Sequence, residues 1–164
     1  DDSESRGLGD VYKRQLSKMS NQNHLRLTKL ALTTGFRRSE LLSLTWKNLN
    51  LHKGKIYVQR KECAARGSSS SMRIVPLPIK AKKLLRSFES KEGKVLPLTK
   101  GSARNGFDKA RKRAGLETLR FHDLRHIAIS RMWSYGMNAL EISACSGHRD
   151  IKMLMRYSHY QLSF

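Results

Sequence analysis

Acidic residues are scarce in this chain: 13 Asp and Glu stand against 33 Lys and Arg in 164 residues, a formal charge of +20. Such an imbalance repels itself unless the partner is a polyanion, which makes nucleic acid the leading partner class. The basic residues run through periodic segments and are not gathered in one tail, so they predict a folded basic face. Cysteine is nearly absent. Cys63 and Cys145 form no spaced framework, which excludes a disulfide scaffold and predicts two packing thiols in a reducing cytoplasm. No apolar run is long enough to cross a bilayer, and no stretch pairs one basic face with a wholly apolar one, so a membrane partner is not expected. The polar, acidic first residues do not read as a secretory leader, and export is not expected.

What remains, with 38% hydrophobic residues, suffices for one domain with a buried core. Asp1 to Gln15 lack any amphipathic period, and DVYKRQ at Asp10 to Gln15 is similar to a translated transposon end of the kind used in sequencing adapters. Residues 1–15 therefore read as a non-native or disordered leader, and 16–164 as the domain. From Asn21 the apolar residues recur with helical spacing until Gly35, a residue suited to a left-handed helix end. FRRSELLSLTW predicts a second helix with Leu41, Leu42, Leu44 and Trp46 on its apolar side. Arg37 and Arg38 fall in its first turn, against the dipole preference, and invite a functional explanation.

KIYVQ at Lys55 to Gln59 and MRIVPL at Met72 to Leu77 alternate as strands of a hairpin, joined by the serine-rich KECAARGSSSS; KVLPL at Lys94 to Leu98 predicts a third strand. Helices are expected at Pro78 to Ser90, with Ile79, Leu84, Leu85 and Phe88 inward, and at Ser102 to Ala114. A further helix covers Phe121 to Ser134. Asn138 and Glu141 open another in capping-box spacing, and Gly147 stops it. Asp150 is placed to cap a last helix with Ile151, Leu154 and Met155 inward. The fold class is α+β: mainly helical, with a small antiparallel β-sheet.

Phe121 to Tyr160 carries the chemistry. His122 and Arg125 stand at H-x-x-R spacing, His148 follows a glycine 23 residues after Arg125, and Tyr157 lies nine further on. Imidazoles, guanidinium groups and a phenol in a basic chain suit work on a phosphodiester, because guanidinium binds nonbridging oxygens as a charged fork. A tyrosine on an amphipathic helix is ordinarily core. His126 and His159 are left as structural or surface histidines, and Tyr160 and Tyr135 compete with Tyr157.

TGFRRSELLSL at Thr34 to Leu44, FHDLRH at Phe121 to His126 and SGHRDIKMLMRYSH at Ser146 to His159 together resemble the three active-site boxes of the tyrosine recombinases, or phage integrases. The resemblance implies a catalytic domain in which Arg37 and Arg125 clamp the scissile phosphate and His148 donates a further hydrogen bond. Tyr157 would be the nucleophile that forms a 3′-phosphotyrosyl link, with His122 orienting the phosphate and assisting proton transfer. Lys61 would protonate the leaving oxygen, although KECAARGSSSS is longer than the family's turn and lacks its second basic residue. No cofactor or metal is implied. The implied partner is double-stranded DNA, held by a tetramer of like chains in a prokaryotic cytoplasm at the nucleoid, with a core-binding domain expected upstream of Leu16.

Three other readings stay open. A non-catalytic DNA-binding module is one, and DNA relaxation of the type IB topoisomerase kind another. HDLRH also fits H-[DE]-x-x-H, which would make His122 and His126 zinc ligands; an intervening arginine and the lack of a clear third ligand count against it.

Overall fold

The computed structural model describes residues 19–59, 72–148 and 150–157. Helix α1 (Gln22–Thr34) begins where the Asn21 side chain accepts the backbone N–H groups of Asn23 and His24, and ends where Gly35 takes φ +67° and returns its N–H to the Ala31 carbonyl. Both signals are local, and both ends lie where the sequence places them. α1 is the central beam: Leu27, Leu30, Ala31 and Leu32 are buried in one continuous core. It packs along α5 (Phe121–Ser134), with Ala128 facing Gly35 at ordinary van der Waals distance.

Between these helices the chain runs through α2 (Arg38–Ser43), a 3-10 turn (Trp46–Asn48), β1 (Leu49–Asn50), β2 (Lys55–Gln59), β3 (Met72–Pro76), α3 (Ile79–Arg86) and α4 (Lys100–Arg113). After α5 come α6 (Ala139–Ser146) and α7 (Lys152–Met155). The strands form one antiparallel sheet in the order β1-β2-β3, with Ile56 opposite Val75 and Val58 opposite Arg73. Ile56, Val58 and Val75 turn into the core. The expected class holds: a mainly helical α+β fold with one small antiparallel sheet.

Several expectations need correction. The third strand is Leu49–Asn50, not Lys94–Leu98; the latter stretch makes a single bridge, Thr45 to Lys94, and docks along Leu44 to Trp46 through the Val95 N–H and the Gly93 carbonyl. Pro97 has no N–H to continue a ladder. The helix through FRRSELLSLTW stops at Ser43, because Leu44 is already extended, and Trp46 belongs to the 3-10 turn. Helix α3 is shorter than expected, and Ile79 is 75% exposed. Its buried stripe is Ala81 and Leu85, and Ile79, two residues earlier, lies about 200° round the helix from Ala81. Helix α4 starts at Lys100, before Ser102, since Thr99 caps it through the Ser102 N–H. In α7 only Leu154 is buried; Ile151 and Met155 face outward. Asp150 accepts the Lys152 N–H, although the helix-flanking residue is Ile151.

Helix α4 meets the start of α1 without room to spare. A β-carbon on Gly106 would come within 2.3–2.6 Å of three atoms of the His24 ring, which bonds Ser102 at 3.1 Å. We expect Gly106→Ala to lower stability: overpacking costs about 1–3 kcal/mol, more than the ~1 kcal/mol alanine gains over glycine in a helix. Urea denaturation should show the loss, and adding His24→Ala should remove most of it.

Candidate active site

The turn that ends α1 is also the first wall of the site. Gly35 leaves its carbonyl free to accept Nη1 of Arg125 at 2.7 Å, and two residues on Arg37 opens α2. Arg37 stays at the helix start, despite the dipole, because Glu40 reaches back: its Oε2 accepts the Arg37 backbone N–H at 2.8 Å and its Oε1 pairs with the guanidinium at 3.4 Å. The same Oε1 accepts Nη1 of Arg73, the second residue of β3, at 2.9 Å. Burial would raise the Glu40 pKa, but the bond and charge of Arg73, with the backbone and charge of Arg37, hold the carboxyl below its ordinary value.

Arg73 was not singled out from the sequence, yet a signal exists. In MRIVPL the residues Arg73, Val75 and Leu77 share one phase of the strand alternation, so an arginine sits where the pattern calls for an apolar residue. Its side chain is about nine-tenths buried, its guanidinium lies 5.4 Å from the Phe36 ring centre, and its Nε and Nη2 are buried with no hydrogen-bond partner. Gly147, at φ +73°, closes over it: a β-carbon there would fall 2.4 Å from Nη1. Cys145 lies close by, its thiol pKa raised by burial, in keeping with the packing role expected of it.

Helix α5 supplies the next groups. Phe36, Arg37, Arg38, Phe121, His122 and Arg125 line one basin of about 260 Å³. Arg125 is almost fully buried, and burial, then the charge of Arg37, pull its pKa down to about 10, so it stays charged at neutral pH. From the loop after α6, His148 meets Nη2 of Arg125. Ser146 fixes the tautomer: its Oγ donates to the Ile142 carbonyl and so accepts from His148 Nδ1, leaving Nε2 to accept from Arg125. Burial, then Arg125 and Arg37, push His148 down to about 4. A neutral imidazole can take up a proton when an anion arrives.

Tyr157 follows α7 in a turn, not on the helix face the sequence predicted, and is buried. Its hydroxyl bonds Nδ1 of His126, the rings stacked with centroids 6.0 Å apart. His126, read from the sequence as a structural or surface histidine, is thus the residue the Tyr157 hydroxyl meets. His122, adjacent on the helix, meets His126 edge to face at 4.9 Å, and its pKa is lowered by burial and by His126 and Arg125. The fold thus gathers Arg37, His122, Arg125, His148 and Tyr157 round one helix turn. Lys61, Tyr160 and His159 lie outside the described residues. Tyr135, at the far end of α5, is 70% exposed. The zinc reading loses its base, since Asp123 caps α5 by accepting the Arg120 N–H at 2.7 Å, and among the described residues no three His, Cys, Asp or Glu are placed to hold a metal ion.

The family model described as "Phage integrase family" matches residues 8–163. The chain belongs to the phage integrase family. Among its relatives, the shufflon-specific DNA recombinase of Escherichia coli is 35% identical over 159 residues, which are 94% of this chain and 40% of that one. The catalytic domain of bacteriophage HP1 integrase superposes with a TM-score of 0.73 at 27% identity, covering 94% of this chain and 86% of the other. A lambda integrase dimer bound to a COC′ core site shares the fold, with a TM-score of 0.69 at 20% identity over 95% of this chain and 59% of that one. The chain spans under half the length of that shufflon recombinase.

In this phage integrase chain one buried carboxylate holds two arginines. We expect Arg73→Met to cost about 3–5 kcal/mol, the usual result of stranding a buried charge, reduced somewhat by relief of repulsion on Arg125. In a double-mutant cycle with Glu40→Gln the second change should recover about 2–3 kcal/mol. Strict additivity in chemical denaturation would show that the pair carries no such load.

Proposed function

We propose that the chain is the catalytic domain of a site-specific DNA recombinase, which cleaves and rejoins double-stranded DNA through a covalent link between Tyr157 and a 3′-phosphate. The observation that carries this is the shared basin: Arg37, Arg125 and His122 line it together, and Tyr157 lies against the residue next to Arg125 on α5. Attack on a phosphodiester adds negative charge to the nonbridging oxygens, and the guanidinium groups of Arg37 and Arg125 line the space where that charge would develop. His148, bonded to Arg125, would gain a proton and donate as the phosphate settles. The phosphotyrosyl ester conserves the bond energy, so a second 5′-hydroxyl can reverse the step.

Lys61 is assigned the leaving 5′-oxygen's proton; its support is its place in the box pattern, in the connection between β2 and β3. Duplex DNA as partner is supported by the charge of +20 and by the DNA complexes of structural neighbours. Strand exchange needs four active sites, so a tetramer on DNA is part of the proposal. Cytoplasmic action at the nucleoid goes with that substrate, and no helix among the described residues is long and apolar enough to cross a membrane.

A pool of nicked duplexes with randomised centres traps the intermediate, because the short cleaved strand diffuses away. Denaturing gels should show a protein–DNA adduct for the wild-type chain, none for Tyr157→Phe, and a yield at least ~100-fold lower for Arg37→Ala or Arg125→Ala. Bound duplex without any adduct would favour the non-catalytic module. An adduct that survives Tyr157→Phe would move the nucleophile elsewhere.

A further inference from the structure

We propose that His126, not His122, is the base that takes the Tyr157 proton during cleavage and returns it during rejoining. This rests on Tyr157 as nucleophile. The geometry singles out His126: its Nδ1 meets the phenol hydroxyl, the rings stack with an interplanar angle of 30°, and Tyr157 is buried while His126 is half-buried. In the proposed step the hydroxyl is the donor, with Nδ1 unprotonated and the ring proton on Nε2, the tautomer in which a base can accept.

The step balances. The Tyr157 Oη–H proton passes to His126 Nδ1, making an imidazolium, while an oxygen lone pair forms the bond to phosphorus. The P–O5′ bond breaks with its electron pair on the 5′-oxygen, which takes a proton from the acid, Lys61 in the proposal above or water. Rejoining runs the same transfers backwards, and no oxidant, reductant or further reactant enters.

The surroundings keep the base neutral. Burial lowers the His126 pKa first; Arg156 beside Tyr157, Arg125 and Arg120 on the α5 side lower it further, and only Asp123 opposes them. His122 packs edge to face on the other side of the ring, and His148 also feels its charge. The imidazolium formed in the step is thus held among positive groups, so the proton is returned readily when the reaction reverses. His122, exposed at the rim of the basin with Arg37 and Arg38, is left to the phosphate.

The test is the rate of adduct formation against pH from 6.5 to 9 on a nicked duplex recovered from the randomised pool, with the 164-residue chain. His126→Asn keeps an acceptor near the Nδ1 position but cannot take a proton at these pH values. We expect a loss of about 100-fold at pH 7, the low end for a general base, with the variant's rate then rising about tenfold per pH unit as hydroxide does the work. The wild type should be nearly flat above its histidine titration. A His126→Asn variant with the wild-type rate, or one that is slower but equally flat, overturns the proposal, the second result marking a positioning role only. His122→Asn should be slower with a flat profile; a hydroxide-dependent His122→Asn would give the base back to His122. Tyr157→Phe separates the two layers: adduct persisting there removes the nucleophile itself, whereas its loss alongside a pH-indifferent His126→Asn removes only the base.

Discussion

Three guanidinium groups, those of Arg37, Arg73 and Arg125, are brought together with one carboxylate bonding two of them and a backbone carbonyl the third, and the rest of the site depends on that arrangement holding. Three cations less one carboxylate leaves two positive charges in excess, a surplus the free protein must carry. Such an excess is costly in a buried setting, and it suits a phosphodiester whose single charge approaches two as the phenolate adds to phosphorus. Glu40 makes it tolerable by bonding Arg37 and Arg73 at once, and the Gly35 carbonyl does the same for Arg125. Two buried Arg73 nitrogens still lack partners.

The backbone carries as much of the design as the side chains. Gly35 ends α1 and offers the carbonyl that orients Arg125. Gly147 ends α6, covers the Arg73 guanidinium and delivers His148 to Arg125. Both take left-handed conformations that a side chain would strain, and Gly147 also has no space for one. Helix termination and active-site assembly are therefore one event at each position.

Signals contained within a few residues were legible in the sequence. Asn21 and Gly35 bound α1, Asn138 with Glu141 opens α6, Gly147 closes it, and α5 runs from Phe121 to Ser134 as its pattern predicts. The box spacings brought out Arg37, His122, Arg125, His148 and Tyr157, which the fold gathers. What escaped depends on neighbours distant in the chain. Arg73 acquires meaning only from Glu40, 33 residues away, though its place in the strand alternation was a clue. His126 is one residue past the motif, and its link to Tyr157 spans 31 positions. Ile79 and Met155 are apolar yet stand exposed, and a two-residue strand such as Leu49–Asn50 is too short to show a period.

The central claim is that the basin between α2 and α5 receives a scissile phosphate. A crystal structure of the Tyr157→Phe chain on a nicked duplex recovered from the randomised pool tests it most directly. The account predicts one backbone phosphate seated in the basin, its nonbridging oxygens bonded to Arg37 and Arg125, with the ring of residue 157 turned towards phosphorus. A duplex lying across another basic face, with the basin empty of phosphate, would contradict it.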